Sequence, residues 1–205
     1  MEKISFKGGA MLSPLPPAMV SCGRGEEKNI LTIAWTGILN SDPPLTYISV
    51  RKSRHSHDII EREGEFVINL PNEALAQQCD FCGVKSGRDV DKWEVLSLTP
   101  MAADEVGCPL IAETPVNLER RVIEKREYPT HDMFIAEIVR VHADASLMSG
   151  NGKIRLDKAG LLAYCHGEYF GLKSKPLGSF GYSVMKPKTK KKKDAQRRAS
   201  QRVKK

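Results

Sequence analysis

Residues 29–69 read NILTIAWTGILNSDPPLTYISVRKSRHSHDIIEREGEFVIN. From Ile30 to about Leu39 they are β-branched or aromatic with small polar residues interspersed, which predicts a strand buried on one face and available on the other. Ser41-Asp42-Pro43-Pro44 breaks this run, and Leu45 to Arg51 resumes it as a second strand. Asp58 to Glu63 has helical composition and is closed by Gly64 at a C′ position. Glu65 to Leu70 is strand again.

This segment also predicts an anion site. Alternate residues of a strand share a face, so Ser49, Arg51 and Ser53 present hydroxyl, guanidinium and hydroxyl in a row. The helix start near Ser53 to Ser56 adds unpaired N–H groups and the positive end of a dipole. Arg51 can fork onto two phosphate oxygens, while Lys52 or Arg54 adds longer-range attraction. The same residues equally suit a solvated strand end on which Ser53 or Ser56 caps the helix. Alongside, Thr32, Ala34 and Thr36 share one face with room for a flat ligand, and Trp35 points the other way, towards a core.

Beyond this region, Asn72 is a suitable N-cap for NEALAQQCDFC, with Gly83 as its terminator. Val84 to Lys92 reads as a loop. Val116 to Glu127 and Met133 to Ala143 are long and part-alternating, which predicts an antiparallel pair joined through Pro129. Ser149-Gly150-Asn151-Gly152 is a turn, and Leu161 to Cys165 a short apolar run. Strands outnumber helices without alternating regularly with them, so the expected fold is mainly β: a closed or partly closed antiparallel barrel with short outer helices.

The 205-residue chain has a net charge of +7, but Lys186 to Lys205 carries eleven Lys and Arg against Asp194 alone, giving that tail +10 and the body −3. One domain over Met1 to Met185 and a disordered basic tail over 186–205 are expected. The tail is suited to nucleic acid or other acidic surfaces. Five cysteines, an odd number, argue against a secreted disulfide framework. No signal peptide or transmembrane segment is evident, so a cytoplasmic location is expected.

Other chemistries fit less well. His55 and His57 are two apart and do not share a helix face, so no metal site is expected. Cys79-Asp80-Phe81-Cys82 lacks a second CxxC for zinc and falls at a helix end, where the dipole disfavours a thiolate. Gly23-Arg24-Gly25 lacks the third glycine of a dinucleotide loop. The glycines of 83–88 lack the GK[ST] ending of a phosphate-binding loop. No Gly-x-Ser-x-Gly elbow occurs.

The ordered motifs NILTIAWTG, SDPP, SVRKSRHS, GEFVINLP, CGVKSGRDVDK, PVNLE, HDMFIAEIV and AYCHGEYF resemble the flavin reductase-like family of FMN-binding split barrels, especially its flavoredoxin-like branch. The match runs from about Pro14 to Ser183. The resemblance implies a homodimeric split β-barrel that binds FMN near the subunit interface. Thr32, Trp35 and Thr36 match the strand passing the flavin ring and ribityl chain, and Ser49, Arg51, Ser53 and Ser56 match the phosphate segment. Asn69 and Leu70 match a strand whose backbone edges the flavin. Cys82, Ser86, Gly87 and Lys92 match a loop near the cofactor. His131 takes the His position of the reductases' Gly-Asp-His element, a catalytic place facing the nicotinamide, although Pro129 and Thr130 replace Gly and Asp and Ala136 replaces a Gly. The implied activity is NAD(P)H-dependent flavin reduction, with NADH or NADPH as transient donor. The alternatives are a flavoredoxin-like carrier that keeps FMN and has a protein redox partner, and a non-catalytic flavin-binding body whose basic tail binds nucleic acid or membrane. Oxidase chemistry of the pyridoxamine-phosphate type ranks below these.

Overall fold

The computed structural model describes residues 1–173, 176–186 and 189. The chain divides into two units, Met1–Leu172 and Lys173–Lys205. In the second, the described residues hold one 3-10 turn, Tyr182–Val184. The basic tail, apart from Lys186 and Thr189, lies outside the described residues.

The first unit runs β1 (Ala18–Cys22), β2 (Asn29–Ile33), β3 (Thr36–Ser41), β4 (Pro44–Arg51), α1 (His55–Glu63), β5 (Glu65–Leu70), α2 (Ala76–Val84) and α3 (Lys92–Val95). It continues with β6 (Pro100–Met101), β7 (Leu110–Ile111), β8 (Val116–Glu127), β9 (His131–Ala143), β10 (Leu162–Cys165) and β11 (Glu168–Gly171). Seven strands form one antiparallel sheet in the order β2-β1-β5-β8-β9-β4-β3, and β6-β7 and β10-β11 are separate hairpins.

The expected strand from Ile30 to Leu39 is two strands. Asn29–Ile33 pairs with β1 at one end of the order, and Thr36–Ser41 pairs with β4 at the other. One continuous piece of chain thus belongs to both ends of the sheet, curling it into a barrel. At the join, Ser49 N–H donates to the Trp35 carbonyl at 2.9 Å. Past that bond no ladder links β2 to the last residues of β4, and the barrel is split there.

Apolar residues on alternate strand positions fill the interior, among them Val20, Ile48, Phe66, Ile68 and Phe134, with Ile59 and Ile60 of α1 packed against them. A second layer places Cys79, Cys82 and Trp93 from the α2 and α3 region over Met19 and Ile30. β1 therefore buries both faces, which is why AMVSC shows no alternation and escaped the sequence reading.

Local expectations hold in part. α1 closes at Gly64, whose φ of 67° is the left-handed conformation glycine adopts without strain, and it begins at His55, within the Ser53 to Ser56 stretch and ahead of the helical composition of Asp58 to Glu63. Asn72 caps nothing with its side chain, because a 3-10 turn (Glu73–Leu75) intervenes before α2. Gly83 does not end α2. The helix continues to Val84, and Gly83 packs beside Thr32, where a Cβ at position 83 would make ordinary contact at 3.4 Å.

β8 carries two consecutive buried charges. Glu119 is fully buried. It accepts N–H bonds from Asp104 (2.9 Å), Glu105 (2.7 Å) and Val106 (3.0 Å) and meets His142 Nε2 at 2.5 Å. Arg120 lies opposite the interior residue Phe66 and is 1% exposed. Its one hydrogen bond, 3.3 Å long, goes to the Glu119 carbonyl. Burial pulls its guanidinium down to about 9, which still leaves it charged at neutral pH. Glu119→Ala would leave three N–H groups without their acceptor, of which that of Val106 is buried and those of Asp104 and Glu105 can turn to water. Since a buried donor left without a partner costs about 1–3 kcal/mol, urea denaturation should show a loss of ~2 kcal/mol, with Glu119→Gln losing less.

Candidate functional site

A cavity of about 180 Å³ opens where the barrel is split. Asn29 and Leu31 of β2 form one side, Arg51 at the end of β4 with Ser53 to Ser56 a second, and Lys85, Ser86, Gly87 and Lys92 a third. None of these lining residues is a carboxylate. Arg51, Arg54 and Lys85 form no ion pair and no side-chain hydrogen bond among the described residues. A concave site with unpaired cations and no compensating acid attracts an anion.

The local chain explains this arrangement. Arg54 is the extended N-cap residue of α1, so the helix starts at the cavity wall with its first N–H groups and dipole directed there. No side chain caps it, contrary to the capping role open to Ser53 and Ser56. Ser56 Oγ instead accepts from Asn29 Nδ2 at 2.8 Å, joining α1 to β2. The loop after α2 closes over the same spot. Ser86 Oγ accepts the Arg88 N–H at 3.2 Å, and Arg88 donates to the Ser53 carbonyl at 3.2 Å. A side chain at Gly87 would collide with Asn29, so this close crossing requires glycine.

Lys92 is 2% exposed and fixes the back of the cavity, donating to the carbonyls of Ile30 (2.6 Å) and Cys82 (3.0 Å). Burial lowers its pKa, opposed by the nearby Cys82 and Cys22. Cys82 itself is fully buried and offers its carbonyl, not its sulfur. Burial pushes the Cys79 thiol up to about 11 and that of Cys82 up to about 12, so neither is poised as a thiolate.

The remaining expected residues are not brought to one place. Trp35 does not point into the core. It is 43% exposed and stacks on His131 with ring centroids 4.8 Å apart. Burial and the neighbouring Arg51 lower the pKa of His131, favouring a neutral imidazole at the rim of the site. Thr32 and Thr36 give their hydroxyls to the carbonyls of Cys79 (2.5 Å) and Tyr47 (2.6 Å). Ser49 lies at the closure of the split, and Leu70 lines neither cavity. Asn69 departs from expectation. It is fully buried, its strand is paired on both sides, and its amide bonds Met19, Ser21, Ile111 and Asn117. No edge of it is left for a ligand.

A second cavity of about 230 Å³ lies beside Thr32 and Ala34, where room for a flat ligand was expected, although Thr36 does not line it and its tyrosine wall was not foreseen. Thr32, Ile33 and Ala34, the α2 end at Asp80, Gly83 and Val84, and the rings of Tyr164 and Tyr169 line it. The two linings share no residue but are neighbours in sequence at Leu31–Thr32 and at Val84–Lys85. Tyr164 and Tyr169 stand 5.2 Å apart and form an aromatic wall.

The Flavin reductase like domain model matches residues 11–173. The chain belongs to the flavin reductase-like family. Its fold is the split barrel of that family. Flavoredoxin of Desulfovibrio vulgaris (Miyazaki F) superposes with a TM-score of 0.82 at 28% identity, covering 89% of this chain and 100% of that one. Flavoredoxin from Methanosarcina acetivorans gives 0.80 at 27%, covering 90% and 100%. In sequence, an uncharacterised Archaeoglobus fulgidus protein is 36% identical over 135 residues, 65% of this chain and 76% of that protein. No helix among the described residues is long and apolar enough to cross a membrane.

Behind the cavity, His57 Nε2 lies 2.8 Å from Asp132 Oδ2 and His57 Nδ1 2.9 Å from Asp58 Oδ1, so both ring nitrogens are engaged. Burial lowers the His57 pKa, but its bonds to Asp58 and Asp132 outweigh this and raise it. Burial raises that of Asp132, but His57 and Lys52 outweigh this and depress it. The Asp132 contribution to stability is present above its unfolded value of about 3.9 and is lost as pH falls through the lower folded value. The His57 contribution is full below about 6.5 and is lost as pH rises through the raised folded value. The melting-temperature gap between wild type and Asp132→Asn should therefore be widest between about pH 4 and 6.5 and narrow on both sides. A gap that stays constant across the scan would refute this linkage.

Proposed function

We propose that this chain binds FMN and acts as an NAD(P)H-dependent flavin reductase. The observation that carries the reading is the carboxylate-free cavity in which Arg51, Arg54 and Lys85 stand unpaired beside the start of α1. That donor set fits a phosphate monoester: Arg51 for a forked contact, the α1 N–H groups for further oxygens, and Gly87 for close backbone approach. The slot between Thr32–Ala34 and the Tyr164–Tyr169 wall suits the flat part of the same molecule. FMN, when bound, supplies the hydride-accepting chemistry, and the protein supplies binding, orientation and electrostatics. His131, neutral and stacked on Trp35 at the rim, is placed to orient a nicotinamide.

Likeness to two flavoredoxins at 27–28% identity favours a second reading, an electron carrier that keeps FMN and serves a protein partner. Recording the flavin absorbance before and after NADH or NADPH separates the two, since rapid bleaching supports the reductase. A homodimer belongs to this proposal, because β3, β8 and β9 leave Ile38, Leu39, Ile123 and Val141 exposed. We assign the flavin-binding body to Met1–Met185 and treat the basic segment after it as an accessory tail.

Purified protein should bind FMN in a one-to-one complex, and Arg51→Ala should weaken that binding by about tenfold or more, the worth of one charge-assisted contact. A chain that neither carries nor takes up flavin sinks the reading. His131→Ala should raise the nicotinamide KM by about fivefold while FMN affinity stays unchanged, as expected for a residue that contacts the donor alone.

A further inference from the structure

The cationic cavity is built around one tight corner of the chain, between the end of β4 and the start of α1. Arg51 ends β4, and Ser56 lies in the first turn of α1. The link between them lies one residue behind each. Lys52 follows Arg51 and His57 follows Ser56, and both side chains reach the same carboxylate, that of Asp132 on β9.

We propose that Asp132 is the positioning residue of the phosphate cradle. Its carboxylate grips α1 through His57 and the end of β4 through Lys52, and so sets the spacing of the groups that receive the anion. This deepens the FMN reading and rests on it.

The geometry is specific. Asp132 is 2% exposed and lies opposite Val50 in the β4–β9 ladder, next to the Arg51–His131 pair. Oδ2 lies 2.8 Å from His57 Nε2, and Oδ1 lies 3.2 Å from Lys52 Nζ. Asp132 does not line the cavity and touches nothing placed in it, so it acts through its two partners.

Other contacts also hold α1: Ile59 and Ile60 pack on the barrel, and Ser56 Oγ accepts from Asn29 Nδ2 at 2.8 Å and ties the same turn to β2, but among the described residues only Asp132 hydrogen-bonds α1 to β9, the strand paired with the end of β4. The backbone link from the Lys52 N–H to the Thr130 carbonyl is 3.5 Å long and weak. The buried Asp132 carboxylate is hydrogen-bonded to His57 and ion-paired with the partly exposed Lys52, and the His57 bond, made to an ionised acceptor, is the directional one. It therefore fixes where the α1 N-terminus faces Arg51.

The test compares FMN with riboflavin, which lacks the phosphate, by flavin fluorescence titration of the full chain freed of flavin. Wild type should bind FMN much more tightly than riboflavin. Asp132→Asn should weaken FMN binding by about tenfold and change riboflavin binding less than about twofold, as expected for loss of one charge-assisted contact. Equal weakening of both ligands, or an FMN affinity unchanged in the variant, overturns the proposal. Should Asp132→Asn not fold, His57→Leu and His57→Gln replace it. The glutamine amide can still donate to Asp132, so it should hold FMN affinity within about twofold, while leucine loses about tenfold for FMN alone. Equal behaviour of those two variants also overturns it. If wild type itself fails to discriminate FMN from riboflavin, the phosphate reading falls, and this inference with it.

Discussion

The closure of the barrel by Asn29–Ser41 is the constraint on which the rest of the molecule depends. One half of that segment completes the ladder beside β1 and the other half the ladder beside β4, so the chain cannot be paired on both sides throughout. Where it changes partner, at Ala34 and Trp35, β2 and the end of β4 face each other unpaired. A site arises at this discontinuity because backbone groups not used in a ladder are free to meet something else. The α1 start, the loop of Ser86 and Gly87, and the buried Lys92 all converge on it.

Much of this was legible in the sequence. The Pro-Pro break, the Gly64 stop and the long β8 and β9 runs are local signals, and each marks a real boundary. That Arg51, Ser53 and Ser56 line one cavity was readable for the same reason, since they lie within six residues on adjacent elements. Features that depend on partners far along the chain were not. β1 shows no alternation because helices cover its second face, and that cover comes from the α2 and α3 region more than fifty residues later. Asn69 looked available because its burial is set by Ile111 and Asn117, which only the folded sheet brings to it.

Trp35 shows the same limit in the opposite direction. An aromatic residue in a β-rich run is usually a core residue, but the change of partner at this point interrupts the alternation and turns the ring outward onto His131. Lys85 and Tyr164 were missed for a simpler reason. Nothing in a loop lysine or a short apolar run says which cavity it borders until α2 and the β10–β11 hairpin are in place.

The neighbouring charges of Glu119 and Arg120 bear on how the chain finds this fold. Side chains on a strand alternate between faces, so a slip of one residue exchanges the faces of the whole strand. In most strands such an error swaps apolar for polar. Here it would replace the Arg120 guanidinium beside Phe66 with a carboxylate and take away the acceptor that holds the N–H groups of residues 104–106. An unpartnered carboxylate in that interior costs far more than a misplaced methyl group. The pair thus acts as a positional key at the middle of the sheet, where β8 joins β5 to β9. Variants that neutralise both residues would be free to populate shifted pairings even where the native state itself gains stability.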